Sequence, residues 1–446
     1  IKIWIQQIDE GELYLNADEY EDYSSGYWDS DLITEYYDEQ GIGDKINTML
    51  RFAKDCVDDR KYQEASLIYE WIWEMEVFAE EEYVDPADLE VLVEKEIVTA
   101  DLKQLALLTL YVDYQMRVPE ERAEDIYLYF SHYAFHDLHI EDMFHAGREN
   151  LTETEQFWND WISLLKTKSG DTESRLLKEA VLYREGIEGL VKMANDNYKV
   201  HPSLYLEAMN EYDKNYGYSQ IEKIGENAIE KIDSKLTIRS KIALKAACAS
   251  SYLNHTEKVM LFCWESFRSD STVRNLLRLF GTKEMAEQYG IRAEKALASR
   301  IKGNPVTSIR NSELNQNIIN NYTYNELNFY TGNFKAVKAV SKNPSGSLGW
   351  SNCFVGEGIC LFLLYLFEDA VPSKAAKAVA NSIGFSDKAV QNEEIEFEKK
   401  IIDESNRDKT SIFWNYFQRW KQYFPMEADV KKQYLAWAEK IVHSRA

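Results

Sequence analysis

Along most of the chain apolar residues recur three and four positions apart, the spacing of a helix that buries one face. No alternating stretch of Val, Ile and Thr bounded by turn residues runs for long. The clearest unit spans 46–76, where Phe52, Ala53, Cys56, Ala65, Tyr69 and Ile72 form an inner face and Asp58, Asp59, Arg60 and Lys61 fill a polar turn. This pattern predicts two amphipathic helices, the second running on to 82. Before them, 1–40 is acidic and tyrosine-rich, with a helix expected from Asp31. After them, Asp85 and Pro86 make a helix start, Asp as cap and Pro at the first helical position. Helices are expected over 87–98 and 102–116, and Pro119 opens another that passes through the aromatic segment 127–135. Thr152-Glu153-Thr154-Glu155 has the form of a capping box, ahead of a helix whose apolar face holds Phe157, Trp158, Trp161, Ile162, Leu164 and Leu165. Another follows Gly170-Asp171 and is expected to stop at Gly186.

From Pro202 the spacing becomes regular. Helices are predicted over 202–213, 219–232, 238–252, 256–268, 271–280 and 283–299, which makes three consecutive hairpins. Gly303-Asn304-Pro305 is the expected boundary of the second half. A shorter pair turns at Gly332-Asn333, Ser351 caps a helix holding the apolar run 359–367, and helices over 373–383, 388–402, 412–423 and 428–442 complete the chain. The expected fold is all-α, a solenoid of helical hairpins, organised as an acidic region 1–150, a hairpin array 151–302 and a C-terminal helical region 310–446.

Composition sharpens this picture. Seven prolines and 19 glycines in 446 residues leave helix as the default, and 29 tyrosines and 11 tryptophans are too many to be anything but packing residues in the main. The net charge of −25 is unevenly spread: 1–160 holds 41 acidic and 11 basic side chains, whereas 161–446 holds 35 and 40. The first third therefore repels phosphate backbones, and direct nucleic-acid binding is not expected there. Cys56, Cys248, Cys263, Cys353 and Cys360 are an odd set without C-x-x-C spacing, as for buried thiols in a reducing, cytoplasmic setting. The apolar run 359–367 is too short to span a bilayer, so no membrane role is expected. The chain begins at Ile1, which is expected to lie inside a longer polypeptide or to follow processing.

Lys61-Tyr62-Gln63-Glu64-Ala65 resembles the turn and second-helix start of a tetratricopeptide repeat. Ala53 and Ala65 stand 12 apart, as that family's two small crossing residues do, with Tyr69 in the aromatic position four residues later. Gly332-Asn333-Phe334-Lys335-Ala336 is similar but one residue short. The resemblance implies a protein-interaction scaffold. Gly349-Trp350-Ser351 and the region 202–280 are similar to the helical part that trails the zinc finger in bacterial SWIM-type proteins. The finger's Cys and His pattern is missing here, so only the scaffold carries over.

Four of the seven histidines, His132, His136, His139 and His145, fall within 14 residues. The first three are spaced i, i+4 and i+7, so one helix face could offer imidazoles to zinc, and a metal-dependent enzyme is one reading. The segment lacks the glutamate of H-E-x-x-H, and no histidine precedes His132 to pair with His136-Asp137 as in HD-type phosphohydrolases. Phosphate loops, dinucleotide fingerprints and the nucleophile elbow are also lacking. The sequence thus favours a non-catalytic scaffold or regulatory subunit, with no cofactor and no catalytic residues. Its partner is expected to be a protein, basic if the acidic third lines the groove. Tyr62, Tyr69, Trp73 and Glu74 of the first hairpin are the candidate contact residues, and an acidic decoy of a nucleic-acid-binding protein is a further reading.

Overall fold

Helix α2 (Ile42–Asp58) buries Ile42, Ile46, Met49, Ala53 and Cys56 at alternating spacings of four and three, with Val57 beside them, which is why this stretch folds as one amphipathic helix. The Asp38 carboxylate accepts from the first amides, Ile42 N at 2.7 Å and Gly43 N at 2.8 Å. Arg60, at φ 64°, reverses the chain while Lys61 N–H returns to the Cys56 carbonyl, and α3 (Tyr62–Glu74) packs back on α2. The computed structural model describes residues 1–22, 31–80, 84–302, 335 and 411–444. It is predominantly helical and divides into two compact units, Ile1–Gly186 and Ile187–Ala446.

The first unit opens with α1 (Lys2–Asp9) and a hairpin of β1 (Asn16–Asp22) and β2 (Asp31–Tyr37), paired antiparallel from Asn16 opposite Tyr37 to Asp22 opposite Asp31. The helix expected from Asp31 is therefore a strand. Ile33, Thr34, Tyr36 and Tyr37 are strand-favouring residues, and the Tyr36 hydroxyl fixes β2 by donating to the Asp85 carbonyl at 2.9 Å. Nor does α3 run on to 82. From Met75 burial alternates, with Met75 and Val77 inside and Glu76 and Phe78 outside, and Val77 exchanges both backbone bonds with Ala87. That pairing also displaces the next helix. Because Ala87 is held in the bridge to Val77, the cap is Asp88 rather than Asp85, accepting from Val91 N at 2.9 Å, and α4 spans Leu89–Glu94. Asp88→Ala is expected to cost about 1 kcal/mol, read as a lower urea midpoint.

Helix α5 (Leu102–Met116) follows the predicted bounds and is buried on most sides. The aromatic segment does not continue as one helix: α6 (Arg122–Leu128) gives way to two 3-10 turns, Tyr129–Ser131 and Tyr133–Phe135, then α7 (Ile140–Met143). Phe130 and Phe135 are both buried, Phe130 beside Trp161 and Phe135 edge-on to Trp73, and the two turns bring both rings inward. The capping box at Thr152 does not form. Glu155 is drawn to Arg184 and Glu153 to Arg122, and α8 (Thr154–Leu165) starts after Glu153 at φ 59°. The second unit begins within α9 (Asp171–Asn197), whose Gly186 is non-helical at φ 68° and ψ −164°. The glycine thus breaks the helix, but a helical path resumes at once.

In the second unit α10 (Leu204–Asp213), α11 (Tyr218–Lys231), α12 (Ile238–Tyr252) and α13 (Thr256–Ser269) match the predicted hairpins closely. Helix α12 is buried nearly all round, its Ala243, Ala246, Ala247 and Ala249 allowing close approach, and a Cβ on Gly225 of α11 would stand 2.4 Å from that of Ala246. Buried polar ties hold the register: Arg239 to Glu265 at 2.6 Å, and Ser250 and Lys258 to Glu222 at 2.7 and 2.6 Å. The helix expected over 283–299 is divided. After α14 (Val273–Arg278), α15 (Lys283–Met285) passes through a π turn at Ala286–Gly290 into α16 (Ile291–Lys302). The unit closes with α17 (Ser411–Tyr423) and α18 (Ala428–Ser444), and Arg419 of α17 donates to the Phe280 carbonyl at 2.9 Å. The features expected between 303 and 410, the Gly303–Pro305 boundary and the Gly332 turn among them, lie outside the described residues, apart from helical Lys335. No described helix is long and apolar enough to cross a membrane.

Candidate interaction groove

Two anchors set α5 beside α2. Gly43 lies flat against the Ile97 carbonyl, and Asn47 Oδ1 accepts from Thr99 N at 2.9 Å. The Asp101 side chain then caps α5 by accepting from Gln104 N at 3.0 Å. Between the two helices a groove of about 470 Å³ remains, with Tyr69 of α3 in its wall and Leu50, Leu105 and Leu108 as its apolar lining. Asp44, Asn47, Arg51 and Lys54 line it from α2, at spacings of three, four and three that keep them on one helical stripe. Gln104 faces them from α5.

Six of the 11 basic residues of 1–160 are ion-paired, and the two in the groove are not. Among the basic residues of 1–160, Arg60, Lys61, Lys103, Arg117, Arg122 and Arg148 each stand within 4 Å of a carboxylate. Arg51 instead donates to the Asn47 carbonyl at 3.3 Å and to Thr48 Oγ1 at 3.1 Å. Among the described residues no carboxylate lies in ion-pair range of Arg51 or Lys54, and both are exposed.

The four expected contact residues separate. Tyr69 is 1% exposed and Trp73 7%, and burial pushes the Tyr69 hydroxyl above its ordinary range. Trp73 Nε1 donates to Thr109 Oγ1 at 2.9 Å and its ring meets Phe135 edge-on at 4.7 Å. Both rings are core, Tyr69 at the wall of the groove and Trp73 against Phe135. Tyr62 is half-buried and donates to Glu149 at 2.8 Å. Only Glu74 is freely exposed.

The histidines do not share a helix face. His132 is extended at ψ 138°, His136 ends a 3-10 turn, and His139 precedes α7 at ψ 122°. Each ring has its own neighbour: His132 Nε2 stands 3.4 Å from Glu74, His139 Nδ1 3.1 Å from Glu179, and His136 packs on Tyr133. The metal reading of His132, His136 and His139 rested on one continuous helix, whereas the segment is two 3-10 turns followed by a short helix. Among the described residues no three His, Cys, Asp or Glu side chains are grouped to hold a metal ion.

Sequence reasoning missed Asn47, Arg51, Lys54 and Gln104. The available signal was compositional: two cations on the outer stripe of a helix in a region with only 11 basic residues. Comparison of the chain with protein-family models, with curated proteins and with solved structures finds no match in any of the three.

Proposed function

We infer that the chain is a non-catalytic interaction scaffold or regulatory subunit, and that its first unit is a tetratricopeptide-like module holding an extended protein segment between α2 and α5. One observation carries this reading: a preformed groove in which exposed polar side chains of α2 flank apolar Leu50, Leu105 and Leu108. Helical hairpins that leave such a channel suit an extended peptide, which offers both backbone and side chains to be read. The buried free thiols Cys56, Cys248 and Cys263 fit a reducing, cytoplasmic setting.

The test is a photo-crosslinking amino acid at Gln104 in cells expressing the chain, with products identified by mass. A discrete protein adduct is expected, lost when Ala100→Trp fills the groove. An adduct pattern no different from that of the same probe at exposed Glu94 would defeat the reading.

A further inference from the structure

The groove is electrically polarised along its length. Asp44 lies in the first turn of α2, and the Gly43–Ile97 and Asn47–Thr99 anchors hold the start of α5, with Asp101, near that same end. Arg51 and Lys54 follow Asp44 by seven and ten residues, so at 1.5 Å per residue they stand about 10 and 15 Å along the helix axis. One end of the channel thus presents two carboxylates and the other two cations. A uniformly basic segment would meet Arg51 and Lys54. A uniformly acidic one would meet Asp44 and Asp101 and the field of a region carrying 41 acidic against 11 basic side chains.

We propose that the groove selects an extended segment bearing one basic and one acidic side chain three to five residues apart, and holds it in a single orientation. The base lies over Asp44 and Asp101, and the acid over Arg51 and Lys54. The spacing follows from the geometry, since an extended chain advances about 3.3 Å per residue, so about 10 to 15 Å corresponds to three to five residues. The proposal rests on the groove being the binding site, and it replaces a simply basic partner with a mixed-charge one. Arg51 and Lys54 are exposed and in ion-pair range of no described carboxylate, so both are available to an acid entering the groove. Placing them at the end away from Asp44 and Asp101 gives the occupant a direction as well as a charge pattern.

A random decapeptide display library panned on the full chain, and in parallel on its Ala100→Trp variant, tests both layers. The expected result is enrichment, abolished by Ala100→Trp, of peptides with a base and an acid at that spacing in one order. A synthetic peptide of that order should bind about tenfold more tightly than the same peptide with the two charges exchanged, the sum of two exposed ion pairs. The double variant Arg51→Gln/Lys54→Gln, altered only at exposed positions, should reduce the preference to about threefold, the share of the remaining pair at Asp44 and Asp101. Groove-dependent peptides that lack the paired charges, or equal affinity for the two orders, would overturn the proposal and leave the groove reading standing. No enrichment, or enrichment indifferent to Ala100→Trp, would overturn both.

Discussion

Replacing Asp113 by Asn is expected to stabilise the first unit at neutral pH, although it removes one side of an ion pair. Asp113 on α5 is 2% exposed and its Oδ2 has no hydrogen-bond partner. Burial pushes its carboxyl from 3.8 up to about 6, against the opposing pull of Arg117. Arg117 does not depend on it, since the guanidinium also reaches Asp125 at 3.0 Å and Glu70 at 3.2 Å. With the folded value above the unfolded one, the native state binds the proton more tightly. Stability therefore falls as pH rises from about 4 to about 6, and the cost is fully present above that window. The shift corresponds to about 3 kcal/mol. An amide left without a partner takes back part of this, so Asp113→Asn should gain roughly 2 kcal/mol at pH 7 and close to nothing at pH 4. Urea midpoints at the two pH values read it, and a loss of stability at pH 7 would show that the Arg117 pair outweighs desolvation.

Gly43→Ala is expected to be the most damaging single-methyl change in the same unit. A Cβ there would lie 2.0 Å from the Ile97 carbonyl oxygen, a backbone atom that cannot swing aside. Inserting volume into such a contact costs about 3 kcal/mol, and prying 97–99 from α2 also breaks the Asn47 bond to Thr99. For a unit of this size the melting temperature should fall by about 6 to 12 °C, with faster amide exchange at Thr99 and Gln104. Gly41→Ala is the control. Its added methyl meets nothing nearer than Lys45 Nζ at 3.8 Å, so only the left-handed backbone at φ 68° is penalised. A loss of about 1 kcal/mol is expected there, and equal effects at the two glycines would refute the close-contact argument.

How far the fold was legible depended on whether local pattern and distant pairing agreed. Helices α5, α12 and α13 were placed almost to the residue because a continuous apolar run, or stripe, left one way to bury it. Residues 75–80 and 31–37 were misread for the opposite reason. Residues 75–80 continue a helical pattern and 31–37 lack a clean alternation, but Val77 bonds to Ala87 and β2 to β1, partners nine or more residues away that the local pattern does not reveal. The capping box at Thr152 failed similarly, because its acceptor Glu155 is claimed by Arg184, 29 residues on.

The groove divides along the same line. The sequence by itself determined that α2 and α3 form a hairpin, that Ala53 and Ala65 lie on its buried face, and that the first third is strongly acidic. These follow from spacing, side-chain size and charge, which are properties of the chain read in order. Only the tertiary structure decided that Tyr69 and Trp73 face inward, that the histidines part company, and that Arg51 and Lys54 share a channel with Asp101. Each of those depends on contacts between residues far apart in the chain, such as Trp73 with Thr109 and Asn47 with Thr99, which no periodicity encodes.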